Sequence, residues 1–172
     1  GYYIMSRYCV IDTGKDGVAL IVEGTTPLSV YYFKDHDGIA KNFIDCKSFL
    51  EWVRSYEVRT FHIERVPLVN HQSMQTFATQ WFVIGQLYGA ILSYELDGMG
   101  ATIHETYPNT IKACVKRFLP ESERSDESKK LYQAVARRLF PEFFALHKKR
   151  TQLHQGLADC LALVAFTKRS TL

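Results

Sequence analysis

Apolar residues fall along this chain in two rhythms. Residues 8–12 (YCVID), 18–23 (VALIVE) and 28–34 (LSVYYFK) are short apolar or alternating runs, punctuated by Gly14, Gly17, Gly24 and Pro27. That pattern predicts three short strands. The gaps between them are too short for a crossover, so they should form an antiparallel meander. Residues 47–56 (KSFLEWVRSY) place apolar side chains at 49, 50 and 53, the spacing of a short helix. Residues 60–64 (TFHIE) alternate and predict a strand ending at Glu64. The second rhythm then takes over. Residues 73–95 carry Met74, Phe77, Trp81, Ile84, Tyr88 and Ile91 at helical spacing. This long helix is apolar almost all round, which predicts burial or an interface. Gly85 and Gly89 would let another element approach it closely. A further strand is expected over 101–107 (ATIHETY), and Pro108 suits the first turn of a helix running to about Phe118. Asp126 should open the next helix, with Arg137 and Arg138 near its end as the helix dipole prefers. PEFFALHKKR reads as another short helix and LADCLALVAFTKR as the last.

The order is therefore β-β-β-α-β-α-β followed by helices. A meander joined to two crossover units gives an α/β fold, a mixed five-stranded sheet flanked by helices, here as one domain over residues 1–172. In such a sheet the strand at 60–64 should lie beside, and parallel to, the strand at 8–12. Asp12 and Glu64 end those strands, so both carboxylates should reach the same edge, where open α/β sheets place their sites. Carboxylates brought together that way repel unless a proton or cation sits between them. Asp159 adds a third. It interrupts the apolar stretch LADCLALVAF, where a lone ionised carboxylate is costly to bury unless it pairs or binds metal. As a turn, Asp12-Thr13-Gly14 also occurs in aspartic proteases and in actin-like phosphate loops. The first is an all-β chain, whereas residues 73–169 here read as mostly helical. The second needs about twice this length.

Charge and composition sharpen this only a little. The chain has 172 residues, 47% of them hydrophobic, and a formal net charge of +3. Residues 1–104 carry 8 Lys/Arg against 11 Asp/Glu, whereas residues 105–172 carry 13 against 7. A basic half beside an acidic site suits a polyanionic substrate, although solvated helix faces give the same count. Cys9, Cys46, Cys114 and Cys160 are scattered without a CxxC pair. Structural zinc and a disulfide framework are not expected, and an intracellular, reducing compartment fits. No apolar run has the length of a membrane span, so no membrane partner is expected.

Four blocks together resemble the RuvC-like Holliday junction resolvases of the RNase H-like superfamily, with phage and organellar members nearest in feel. They are CVIDTGKDGVALI, FHIERVP, TYPNTIKACV followed by ESKKLYQAVARRLFPE, and HQGLADCLALVAF. The resemblance implies an RNase H-like fold and two divalent cations, Mg²⁺ with Mn²⁺ as substitute, held by Asp12, Glu64 and Asp159. Many members place a fourth ligand three residues before the last Asp, a position held here by Gly156. His154 can replace it only if the helix begins near Gly156 and His154 sits in the turn before it. Lys112 and Lys129 match the family's active-site lysines by position.

Further expectations follow from the same likeness. The substrate would be a four-way DNA junction, cut by symmetric phosphodiester hydrolysis in a homodimer whose seam is the helix at 73–95. No small-molecule cofactor is implied. Leu68 and Val69 would act as an apolar wedge in the loop after Glu64, and Arg65, Lys148, Lys149 and Arg150 would contact phosphates. Two other readings stay open. One is an RNase H-like nuclease acting on hybrids, flaps or RNA. The other is a catalytically silent nucleic-acid-binding domain.

Overall fold

The computed structural model describes residues 6–13, 17–36, 38, 42–65 and 73–172. The main strands are β1 (Arg7–Asp12), β2 (Val18–Glu23), β3 (Thr26–Tyr32), β4 (Thr60–Glu64) and β7 (Thr102–Thr106), with a small hairpin, β5 (Glu95–Leu96) and β6 (Met99–Gly100), standing apart. The helices are α1 (Cys46–Ser55), α2 (Met74–Ser93), α3 (Pro108–Val115), α4 (Ser128–Leu139), α5 (Pro141–His147) and α6 (Gln155–Thr167). Single turns at Lys116–Phe118 and Glu121–Glu123 join α3 to α4.

The five main strands make one mixed sheet in the order β3-β2-β1-β4-β7. β1, β2 and β3 are the expected antiparallel meander. β1 and β4 run parallel, as do β4 and β7. The central position of β1 and β2 explains their nearly unbroken apolar sequences, because helices cover both of their faces. One face carries Cys9, Ile11, Ala19, Ile21, Phe61 and Ile63, packed on Phe49 and Val53 of α1 and on Leu87 and Ile91 of α2. The other carries Tyr8, Val10, Val18, Leu20 and Val22, packed on α3, α4 and most of α6.

The local chemistry explains several helix starts. Asp45 and Ser73 cap α1 and α2, accepting from the Ser48 and Thr76 amides at 3.1 and 3.2 Å. Pro108 occupies the first turn of α3. One expectation needs correcting: Asp126 does not open α4. The helix begins at Ser128 with Glu127 at its cap position, and Asp126 instead accepts a 2.7 Å hydrogen bond from the Lys116 ammonium. The hairpin at 95–100 falls between the helix expected over 73–95 and the strand expected over 101–107, and takes Glu95 from that helix. Its Asp97-Gly98 turn has φ of 53° and 76°, the signature of a tight two-residue hairpin.

α2 is less buried than its composition suggests. Only Ile84, Leu87 and Ile91 are buried, while Met74, Trp81, Phe82 and Leu92 are exposed. A Cβ built on Gly85 or Gly89 would meet nothing within 4 Å. Within the chain, therefore, nothing described here makes the close approach those glycines would permit. No described helix is long and apolar enough to cross a membrane, and all four cysteines are free thiols.

Candidate functional site

The parallel pairing of β1 and β4 sets the site. Ile11 lies opposite Ile63, so one residue further each strand ends on its carboxylate, Asp12 beside Glu64. Glu64 in turn lies opposite Thr106 on β7. Strand alternation gives the face. Asp12 falls on the side of Tyr8 and Val10, and Glu64 on the side of His62, away from Phe61 and Ile63. That is the side covered by α6. Asp159 lies in the second turn of α6, half-buried.

Electrostatics tie the three acids into one neighbourhood. Burial, then Asp159, then Asp12 push the Glu64 carboxyl up to about 8. Burial also raises Asp159. A hydrogen bond from Gln155, at 2.8 Å from its Nε2, the charge that His154 carries when protonated and the charge of Lys129 act in the opposite direction. At neutral pH Glu64 thus keeps its proton in the folded state. The acids do not form a ready-made cage, however. Among the described residues no group of three or more His, Cys, Asp and Glu side chains is disposed to hold a metal ion as it stands. The fit to a divalent cation lies in the donor set, three oxygen-bearing acids at one edge of the sheet, and in the unfavourable cost of ionising Glu64 beside the other two.

Gly156 explains how α6 comes so near. A Cβ there would lie 2.9 Å from Val18 Cγ2, 3.0 Å from Asp12 Oδ2 and 3.1 Å from His154 Cε1. Any larger residue would push α6 off β1 or force the Asp12 carboxylate aside. The position at which the resemblance led to a ligand being expected is here a point of close contact between α6 and the sheet.

His154 sits in the turn before α6, which begins at Gln155. That meets the condition for it to join the site. It is the N-cap: its Nδ1 accepts from the Gly156 amide at 3.1 Å. A neutral ring accepting through Nδ1 carries its proton on Nε2. Direct ligation through Nε2 would require the other tautomer and the loss of this cap. In the present arrangement His154 offers the site a hydrogen-bond donor.

The basic residues separate by position. Lys129 is exposed, yet near enough to Asp159 to lower its pKa. Lys112 lies near Asp126, where it adds to the larger effect of Lys116 in lowering that carboxyl. Lys148, Lys149 and Arg150 are exposed on a tight turn in which Lys149 and Gln152 bridge and Arg150 has φ of 61°. This turn leads directly into His154. Arg65 is held towards β7, 3.7 Å from Glu105 and over the Tyr107 ring. Leu68 and Val69 lie outside the described residues.

A supporting shell was not foreseen. Gln133 of α4 is buried and clamps the chain before α6. It donates to the Leu153 carbonyl at 2.9 Å and accepts from the Leu153 amide at 3.0 Å. The same Nε2 reaches Gln155 Oε1 at 3.3 Å, and Gln155 donates to Asp159. Gln155 was legible, being four residues before Asp159 on one helix face. Gln133 gave no local signal.

A five-stranded mixed sheet in this order, with helices on both faces and acids at the ends of its central parallel pair, is the RNase H-like fold. Among solved structures the chain is similar to T. thermophilus RuvC in complex with a Holliday junction substrate. The TM-score is 0.62 at 14% identity, over 95% of this chain and 96% of that one. A second Thermus thermophilus RuvC structure gives 0.60 at 15% identity, with the same coverage. At such identities the likeness is one of fold. No protein-family model matches the sequence, and neither does any curated protein.

Proposed function

We propose that this protein is a divalent-metal-dependent endonuclease that cuts four-way DNA junctions. The observation that carries the reading is the gathering of Asp12, Glu64 and Asp159 at one end of β1, β4 and α6, with Glu64 raised to about 8 by burial and by the other two acids. The RuvC likeness supports the choice of substrate, because it spans 95% of the chain and one of those structures holds a Holliday junction.

In this reading Asp12, Glu64 and Asp159 would together hold two Mg²⁺ or Mn²⁺ ions. Bound there, the ions would supply Lewis-acid chemistry, activating water and stabilising the leaving oxygen of the phosphodiester. Gln155 holds one Asp159 oxygen and so orients the other. His154 would donate from Nε2 to a phosphate oxygen or a bound water. Lys129 would offset phosphate charge beside Asp159, and Lys112 would add positive potential further along α3. Arg65, Lys148, Lys149 and Arg150 would grip the backbone of the arms, giving binding that weakens with salt. Leu68 and Val69 remain the proposed wedge.

Symmetric cutting calls for two copies. Ala78, Phe82, Gly85, Gly89 and Leu92 form an exposed stripe on α2, spaced 4-3-4-3. That is the repeat by which one helix packs along another. A second copy of this chain is its proposed occupant.

The test is cleavage of a synthetic four-way junction, a flap, an RNA–DNA hybrid and plain duplex, with Mg²⁺. Paired nicks in the junction at a rate well above the other substrates are expected. Equal cutting of all four would defeat the junction assignment and favour a general RNase H-like nuclease.

A further inference from the structure

α4 packs along α6 and turns Leu131 to Ala136 inward, so that all six are buried. Two of the six are polar. Gln133 is fully used, as described above. Tyr132 is not: it is 2% exposed, and its hydroxyl makes no hydrogen bond among the described residues. A buried hydroxyl without a partner is costly, and native structures rarely keep one without a use.

The surroundings of Tyr132 indicate the use. Its hydroxyl is close enough to Glu64 and Asp159 for both negative charges to act on it, adding to burial in raising its pKa. Of the two, Asp159 already accepts from Gln155. Among the described residues, no side-chain hydrogen bond reaches the Glu64 carboxyl. Among the described residues, therefore, a hydroxyl without an acceptor lies near a carboxyl without a donor. Phenylalanine would fill the same apolar space, so packing alone does not call for tyrosine here.

We propose that Tyr132 is a positioning residue for Glu64: its hydroxyl donates to the ionised Glu64 carboxylate, directly or through one water, and so holds it in the orientation that takes a cation. This rests on the metal-site reading above. Outer hydrogen bonds of this kind fix the direction of a ligating carboxylate, and losing one typically weakens metal binding by about 10–100-fold.

Tyr132→Phe removes only the hydroxyl. The test uses the full chain and Mn²⁺ alone as probe, with binding read by calorimetry and folding by the metal-free thermal midpoint. For Tyr132→Phe the expected result is Mn²⁺ binding weakened by about 10–100-fold and a metal-free midpoint equal to or above the parent's. In a Glu64→Gln background the same change should cost little further, because the two side chains act as one unit. Parent-like Mn²⁺ binding by Tyr132→Phe, with binding lost in Asp12→Asn, would overturn the role of Tyr132 and leave the metal site standing. A parent that binds no Mn²⁺ overturns both. Equal losses with and without Glu64, or a markedly lowered metal-free midpoint, would make the hydroxyl a structural group and overturn the proposal.

Discussion

α2 and α6 look alike as sequence and fare differently in the fold. Both are apolar over most of their length. α6 lies between the sheet and the helices α3 and α4, and nine of its thirteen residues are buried. α2 is longer, at 20 residues, yet buries only three. The difference lies in their partners. α6 has a covering layer on its outer side, and the acid it carries is held by Gln155. α2 has the sheet on one side, while Leu92 is 69% exposed and Phe82 43% exposed on the other. Apolar composition signals that a face wants a cover. It does not say whether the cover belongs to the same chain. Under the proposed function, α6 would carry the chemistry and α2 the assembly.

The two roles should separate by mutation. Asp12→Asn, beside α6, is expected to lower junction cleavage on the order of 10³-fold. Junction binding and solution mass should be retained. A variant that cuts like the parent would remove Asp12 from the chemistry. Phe82→Glu on α2 should do the opposite at the level of assembly. It is expected to weaken self-association by roughly 30-fold, equivalent to about 2 kcal/mol, read by light scattering across a concentration series. An unchanged mass would remove α2 from the seam.

Glycines give a finer comparison. Gly156→Ala forces a Cβ to within 3.0 Å of Val18 and Asp12. Overpacking of that kind costs about 1–3 kcal/mol, and roughly 2–4 °C in midpoint per kcal/mol for a chain of this size. Gly85→Ala meets open space. In the Phe82→Glu background, where no partner contributes, it should stabilise by about 0.5–1 kcal/mol, the ordinary gain of alanine in a helix. The same sign at both sites would mean that the contact at Gly156 is slack.

The smallest effect is a pH slope. Glu64 titrates near 8 when folded and near its ordinary 4.5 when unfolded. The folded state therefore holds the extra proton, and metal-free stability should fall as pH rises through that window. Below about 6.5 a second group opposes it: burial, then His104, then Lys168 hold His62 down to about 4, so it resists charging and stability falls as pH drops from 6.5 to 4. The clean interval is thus 6.5 to 8. There the metal-free midpoint should decline by a few degrees, and Glu64→Gln should flatten the slope. A flat parent would show that Glu64 ionises without cost.

Much of this was legible because it depends on local periodicity. TFHIE alternates, so Glu64 had to fall on the face opposite Phe61 and Ile63. The meander required short gaps, and the gaps are short. Asp159 stood out as one charge in an apolar helix. What stayed hidden depends on contacts between distant segments. Gln133 and Tyr132 follow each other in an amphipathic stretch, and nothing local marks one as a clamp and the other as an unpaired hydroxyl. Gly156 looked like a missing ligand. Its reason, the approach of α6 to β1, appears only when Val18 and Asp12 are brought beside it. Asp97-Gly98 is a local turn signal, but the two-residue strands beside it are too short to show a period of their own.

In the proposed function Asp12, Glu64 and Asp159 close on divalent cations. A crystal of the full chain soaked in Mn²⁺, with anomalous scattering collected at the manganese edge, tests it most directly. Peaks bonded to oxygens of all three acids are expected. A saturated crystal with no manganese between β1, β4 and α6, or with the ion bound elsewhere, would contradict it.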